Sequence, residues 1–121
     1  MKPKIQQCDL SQEYYFDEGC FITELSNTAD DSQVSIARAR VEAGNTTKWH
    51  HLQGVTERYV ILEGDGRVEV GDLEPQQVRV GDVVIIPPEV RQRISNTGEG
   101  DLIFLAICSP RFEESKYVSN E

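Results

Sequence analysis

Every apolar stretch between residues 34 and 108 is short, and each is closed by a glycine, a proline or a cluster of Asn and Asp. Residues 34–41 are closed by Glu42-Ala43-Gly44-Asn45, and residues 59–62 by Glu63-Gly64-Asp65-Gly66. Arg67-Val68-Glu69-Val70 alternates polar and apolar, the period of two that a half-buried strand requires. Residues 78–80 alternate in the same way up to Gly81-Asp82. Val83-Val84-Ile85-Ile86 is apolar at every position and stops at Pro87-Pro88. A short strand is expected over residues 91–95, and residues 102–108 form the last long apolar run. No segment carries a capped amphipathic helix pattern, and the acidic tail 113–121 is expected to form a turn of helix or to stay loose. Strands of this length at this spacing predict an all-β sandwich or barrel, and a closed barrel also removes exposed sheet edges. No linker or repeat divides the chain, so a single domain over residues 1–121 is expected.

Charge narrows the partners. Twelve basic against 21 acidic residues give a net charge of −9. That balance repels phosphate backbones and anionic membrane surfaces, so neither nucleic acid nor membrane is an expected partner. No window approaches the roughly 18 apolar residues of a membrane span. The N-terminus lacks the apolar core of a secretory signal, which makes a cytoplasmic location the expectation. The three cysteines, Cys8, Cys20 and Cys108, are odd in number and show no C-x-x-C spacing. They therefore argue against a disulfide framework or a zinc knuckle, and Cys108 reads as a small buried hydrophobe.

Two blocks carry a more specific pattern. In residues 44–64, Gly44 is followed by five residues, then His50, His51 and Leu52, then Glu57 after four more, and Gly64 after a further six. In residues 81–96, Gly81 precedes Pro87 by six positions, and Glu89, Gln92 and Asn96 follow. These blocks resemble the two signature motifs of the cupin superfamily, G-x5-H-x-H-x(3,4)-E-x6-G and G-x5-P-x-G-x2-H-x3-N. The departures are Leu52 in place of the second His, Glu89 in place of a Gly, and Gln92 in place of the third His. The resemblance implies a double-stranded β-helix, or jelly-roll, barrel.

In that family three His and one Glu usually hold a divalent iron, manganese, nickel or zinc ion. The resemblance therefore marks His50, Glu57 and Gln92 as the remaining metal-ligand positions. Imidazole and carboxylate suit such ions, but Leu52 offers no donor and Gln92 only a neutral amide oxygen. Strand alternation turns His51 away from His50, so His51 would join only if a β-bulge rotated it inward. Two arrangements are open: a divalent transition metal held by these residues, or a hydrogen-bonded polar cluster in its place. Tyr59 shares the face of Glu57, so His50, Glu57, Tyr59 and Gln92 are the expected ligand pocket at the barrel mouth.

Other residues read more plainly. Arg38 and Arg40 share a strand face, where they would pair with glutamates such as Glu24, Glu63 or Glu69, or meet an anionic ligand. Trp49 faces away from the site, as do Arg91 and Arg93. Small cupins resemble one another in forming homodimers, often by exchange of an N-terminal strand, for which residues 14–25 are the candidate. The functional expectation is a cupin that binds a small polar or acidic metabolite at the barrel mouth through a degenerate metal site. The alternatives are a metal-dependent dioxygenase, decarboxylase or isomerase of a small oxygenated substrate, and a metal-free acid–base enzyme using His50 and Glu57.

Overall fold

A computed structural model describes residues 1–121 and is almost entirely β. The strands in chain order are β1 (Tyr14–Phe16), β2 (Cys20–Ser26), β3 (Ser35–Val41), β4 (His50–Leu52), β5 (Thr56–Glu63) and β6 (Asp65–Val70). They continue with β7 (Gln76–Arg79), β8 (Val83–Ile86), β9 (Gln92–Asn96), β10 (Leu102–Ser109) and β11 (Tyr117–Ser119). A six-stranded sheet runs β1-β2-β3-β10-β5-β8, and a five-stranded sheet runs β11-β4-β9-β6-β7. All pairings are antiparallel. No helix is long and apolar enough to cross a membrane.

Alternation does what the sequence implies. In β5, Glu57, Tyr59 and Ile61 are buried, while Arg58 and Val60 are half-buried on the other face. In β9, Gln92, Ile94 and Asn96 are buried. The two inner faces close on one core containing Val41, Tyr59, Ile61, Ile94, Leu102 and Phe104. In β8 the uniformly apolar run splits: Val84 and Ile86 enter the core, while Val83 and Ile85 stay exposed.

Several local expectations change. Residues 14–25, considered as a strand exchanged between subunits, pair within their own chain as β1 and β2, with β2 against β3. The tail contributes a 3₁₀ turn over Glu114–Lys116 and then β11, which pairs with β4. Gly66 lies inside β6 rather than in a turn, so the turn before it is tighter than expected. Gly64 makes that turn with φ +87°, and a Cβ there would come within 2.5 Å of the Asp101 carbonyl oxygen. Arg38 and Arg40 both reach Glu13, at 3.4 Å and 2.8 Å, rather than Glu24, Glu63 or Glu69.

Asn96 shows why the second motif ends on an amide. Its Nδ2 donates to the carbonyls of Val41 (2.8 Å) and Gly100 (2.7 Å), and its Oδ1 accepts from the Gly98 N–H (2.9 Å). One buried side chain therefore ties β9 to β3 and shapes the turn into β10.

Candidate functional site

β4, β5 and β9 bring His50, Glu57, Tyr59 and Gln92 together in the interior, and all four are buried. The His50 tautomer follows from its neighbours. Nδ1 lies 2.8 Å from the Lys48 carbonyl oxygen, which can only accept, so Nδ1 carries the proton and Nε2 is a bare acceptor. Gln92 Nε2 donates to His50 Nε2 at 2.8 Å and to Glu57 Oε1 at 2.9 Å. Tyr59 donates its hydroxyl to Gln92 Oε1 at 2.9 Å. The amide is thereby oriented: nitrogen toward two acceptors, oxygen toward a donor. Tyr117 of β11 stacks on the His50 ring, centroids 5.0 Å apart at 21°.

This arrangement does not fit a bound transition metal. The one inward imidazole lone pair is already taken by an N–H, and Gln92 points its nitrogen at the cation position. Leu52 packs with Val55 and Cys108 as apolar filling. His51 faces outward without a bulge, its Nδ1 3.0 Å from Asn120 Oδ1. No three His, Cys, Asp or Glu side chains are placed to hold a metal. The two hydrogens of the Gln92 amide bridge the imidazole and carboxylate that a metal would otherwise join.

Beside this cluster lies a cavity of about 50 Å³, walled by Glu18, Glu57, Cys108 and a largely apolar surround that includes Phe16 and Phe112. Of the expected pocket residues only Glu57 lines it; His50, Tyr59 and Gln92 are packed behind Glu57. Sequence reasoning missed Glu18. It sits in the Asp17-Glu18-Gly19 turn between β1 and β2, where an acidic residue reads as solvent-facing. Its side chain is only 12% exposed, and Oε2 lies 3.6 Å from His50 Nε2. That contact is not an ion pair, because Nε2 is bare and burial lowers the His50 pKa further.

Burial sets the electrostatics. Desolvation pushes Glu57 up to about 7, against the contacts from Cys108 and Gln92 that favour its anion. Glu18 is pushed up to about 8 by burial and then by the neighbouring Glu57 charge. Burial likewise raises the Cys108 thiol, which keeps it protonated and unsuited to nucleophilic work. The site can therefore offer neutral carboxyls, carboxylates or proton transfer around neutral pH.

Comparison with known proteins bears on the family and the fold. The chain matches the cupin domain family over residues 37–108. An uncharacterized protein of Methanocaldococcus jannaschii is 33% identical over 106 residues, covering 86% of this chain and 84% of that protein. KdgF from a Halomonas species superposes with a TM-score of 0.81 at 14% identity, over 94% of this chain and 99% of that one. Bacillus subtilis oxalate decarboxylase, a protein with Mn(II) centres, superposes with a TM-score of 0.77 at 23% identity, over 92% of this chain but 30% of that one. The two structural likenesses carry the fold alone. The family match over residues 37–108, taken with both motifs and the double-sheet barrel, establishes that this chain belongs to the cupin domain family.

Proposed function

We propose that this chain is a metal-independent cupin that binds a small polar metabolite in the cavity beside Glu57. The observation that carries the reading is the Gln92 amide, whose nitrogen lies 2.8 Å from His50 Nε2 and 2.9 Å from Glu57 Oε1. A group that already satisfies both acceptors leaves a metal with nothing to gain there. The Gln92 amide, paired at both its nitrogen and its oxygen, is held rigidly and makes a stable floor for a ligand site. The cavity has room for roughly four waters, or a ligand of about as many non-hydrogen atoms.

The test is metal content and metal response. Protein purified without added metal or chelator is expected to hold metal far below stoichiometry by mass spectrometry. Its melting temperature is expected not to rise with Mn, Fe, Ni or Zn. The double variant Leu52→His with Gln92→His rebuilds the family's three-His, one-Glu set and is expected to take up metal and melt higher. A full equivalent of one transition metal in the unaltered chain, lost in His50→Ala, would overturn the reading.

The active form is proposed as a homodimer. Support comes from the outer face of the six-stranded sheet, where Leu62, Val83 and Ile85 are 46%, 55% and 64% exposed on neighbouring strands β5 and β8.

A further inference from the structure

We propose that the cavity beside Glu57 takes a small organic cation, an ammonium or guanidinium group on a short carbon frame. This rests on the reading of that cavity as the ligand site and names what would fill it.

Its walls hold three carboxyl groups, those of Glu18, Glu24 and Glu57, and no lysine, arginine or histidine. These carboxylates are also short of partners. Glu18 makes no side-chain hydrogen bond, and its nearest nitrogen, His50 Nε2 at 3.6 Å, carries no proton to give. Glu57 is only 8% exposed, yet its Oε2 meets nothing better than the Cys108 thiol at 3.7 Å. Glu24, at the outer end, receives the Tyr14 hydroxyl at 3.3 Å.

Elsewhere the chain treats shielded glutamates differently. Glu13 and Glu69, with side chains 20% and 16% exposed, each hold an arginine guanidinium. Glu18, more shielded than either, has none. Without a cation beside it a buried carboxyl keeps its proton, as Glu18 does near neutral pH, and a ligand's positive group would let it ionise.

The rest of the wall decides what kind of cation fits. Phe16, Ile22, Ala37 and Phe112 supply apolar and aromatic surface. The three glutamates are not placed to hold one metal ion together. Aromatic faces and aliphatic side chains instead suit the carbon frame of an alkylammonium, whose charge also gains from the ring quadrupoles. An acidic metabolite, half of the sequence-based expectation, would find no basic side chain in this wall to pair with its charge.

The experiment uses three probes with equal numbers of non-hydrogen atoms: propylammonium chloride, 1-propanol and sodium acetate, at ionic strength matched with sodium chloride. Protein carrying 13C-methyl alanine reports on the cavity through Ala37 and Ala106, which line it. Propylammonium is expected to shift both resonances saturably, at concentrations at least about tenfold lower than 1-propanol, with acetate inert. Glu24→Gln, at the exposed end, is expected to weaken propylammonium several-fold and leave 1-propanol unchanged. If 1-propanol or acetate shifts Ala37 and Ala106 as readily as propylammonium, the cation is overturned while the cavity remains the ligand site. If none of the three moves those resonances, the cavity reading fails and the cation falls with it.

Discussion

Glu89 occupies the position where the family motif has glycine, and its backbone keeps a glycine-like conformation with φ 68°. A side chain in the left-handed region costs roughly 1–2 kcal/mol. Part of that is offset by the Glu89 carboxylate, which accepts from the Gly54 N–H at 2.8 Å and 3.2 Å, while the Glu89 N–H donates to the Leu52 carbonyl. Glu89→Ala removes the carboxylate and keeps the strain; Glu89→Gly removes both. The glycine variant is therefore expected to be more stable than the alanine variant by about 1 kcal/mol in urea unfolding. Equal stabilities would show that the backbone there carries no strain. The motif spacing made Glu89 legible as a departure, but the compensating bond to Gly54 was not, because it joins residues 35 positions apart. Gln92 has the same character. Its side-chain identity raised doubt about a metal, but only the Lys48 carbonyl and the Tyr59 hydroxyl fix which end of the amide faces inward.

At the level of elements, most strands between β3 and β10 were readable because each is bounded by turn residues and alternates in burial. The N-terminal β1 and β2 were legible only through the resemblance, as one candidate segment for exchange, since Tyr14-Tyr15-Phe16 and Cys20-Phe21-Ile22 lack a clean period of two. Their hairpin carries Glu18 inward, so the residue missed at the site follows from a turn that the sequence did not reveal inside that segment. β11 was hidden in a polar tail whose strand exists only because β4 offers an open edge, and it covers His50 with Tyr117. The edge strand β8 carries the dimer prediction. Ile85→Lys places a charge on the proposed subunit contact, outside the core. Light scattering is expected to give a dimer for the unaltered 13.7 kDa chain and a monomer for the variant, with near-unchanged circular dichroism. An unaltered chain that is monomeric at micromolar concentration would end the dimer proposal.

For the whole molecule, the buried carboxyls dictate how stability responds to pH. Glu18 at about 8 and Glu57 at about 7 stay protonated in the folded chain where the unfolded chain has already released those protons. Their contribution is complete below the ordinary value of 4.5 and is lost as pH rises through those raised values. His50, held low by burial, acts in the opposite direction, and only at the acidic end. Melting temperature is therefore expected to fall between about pH 5 and about pH 8, by the equivalent of a few kcal/mol. Glu18→Gln is expected to remove much of that fall; a flat profile in the unaltered protein would contradict the raised values. The Gln92 amide has a further consequence at this scale. A barrel whose centre is closed by its own side chain is finished when the polypeptide is finished. On the proposed metal-independent reading, no loading step would stand between synthesis and the mature protein, and no exchange with free ions would empty or mis-fill it. The amount of working protein would then follow its rate of synthesis alone and stay constant through metal starvation or excess.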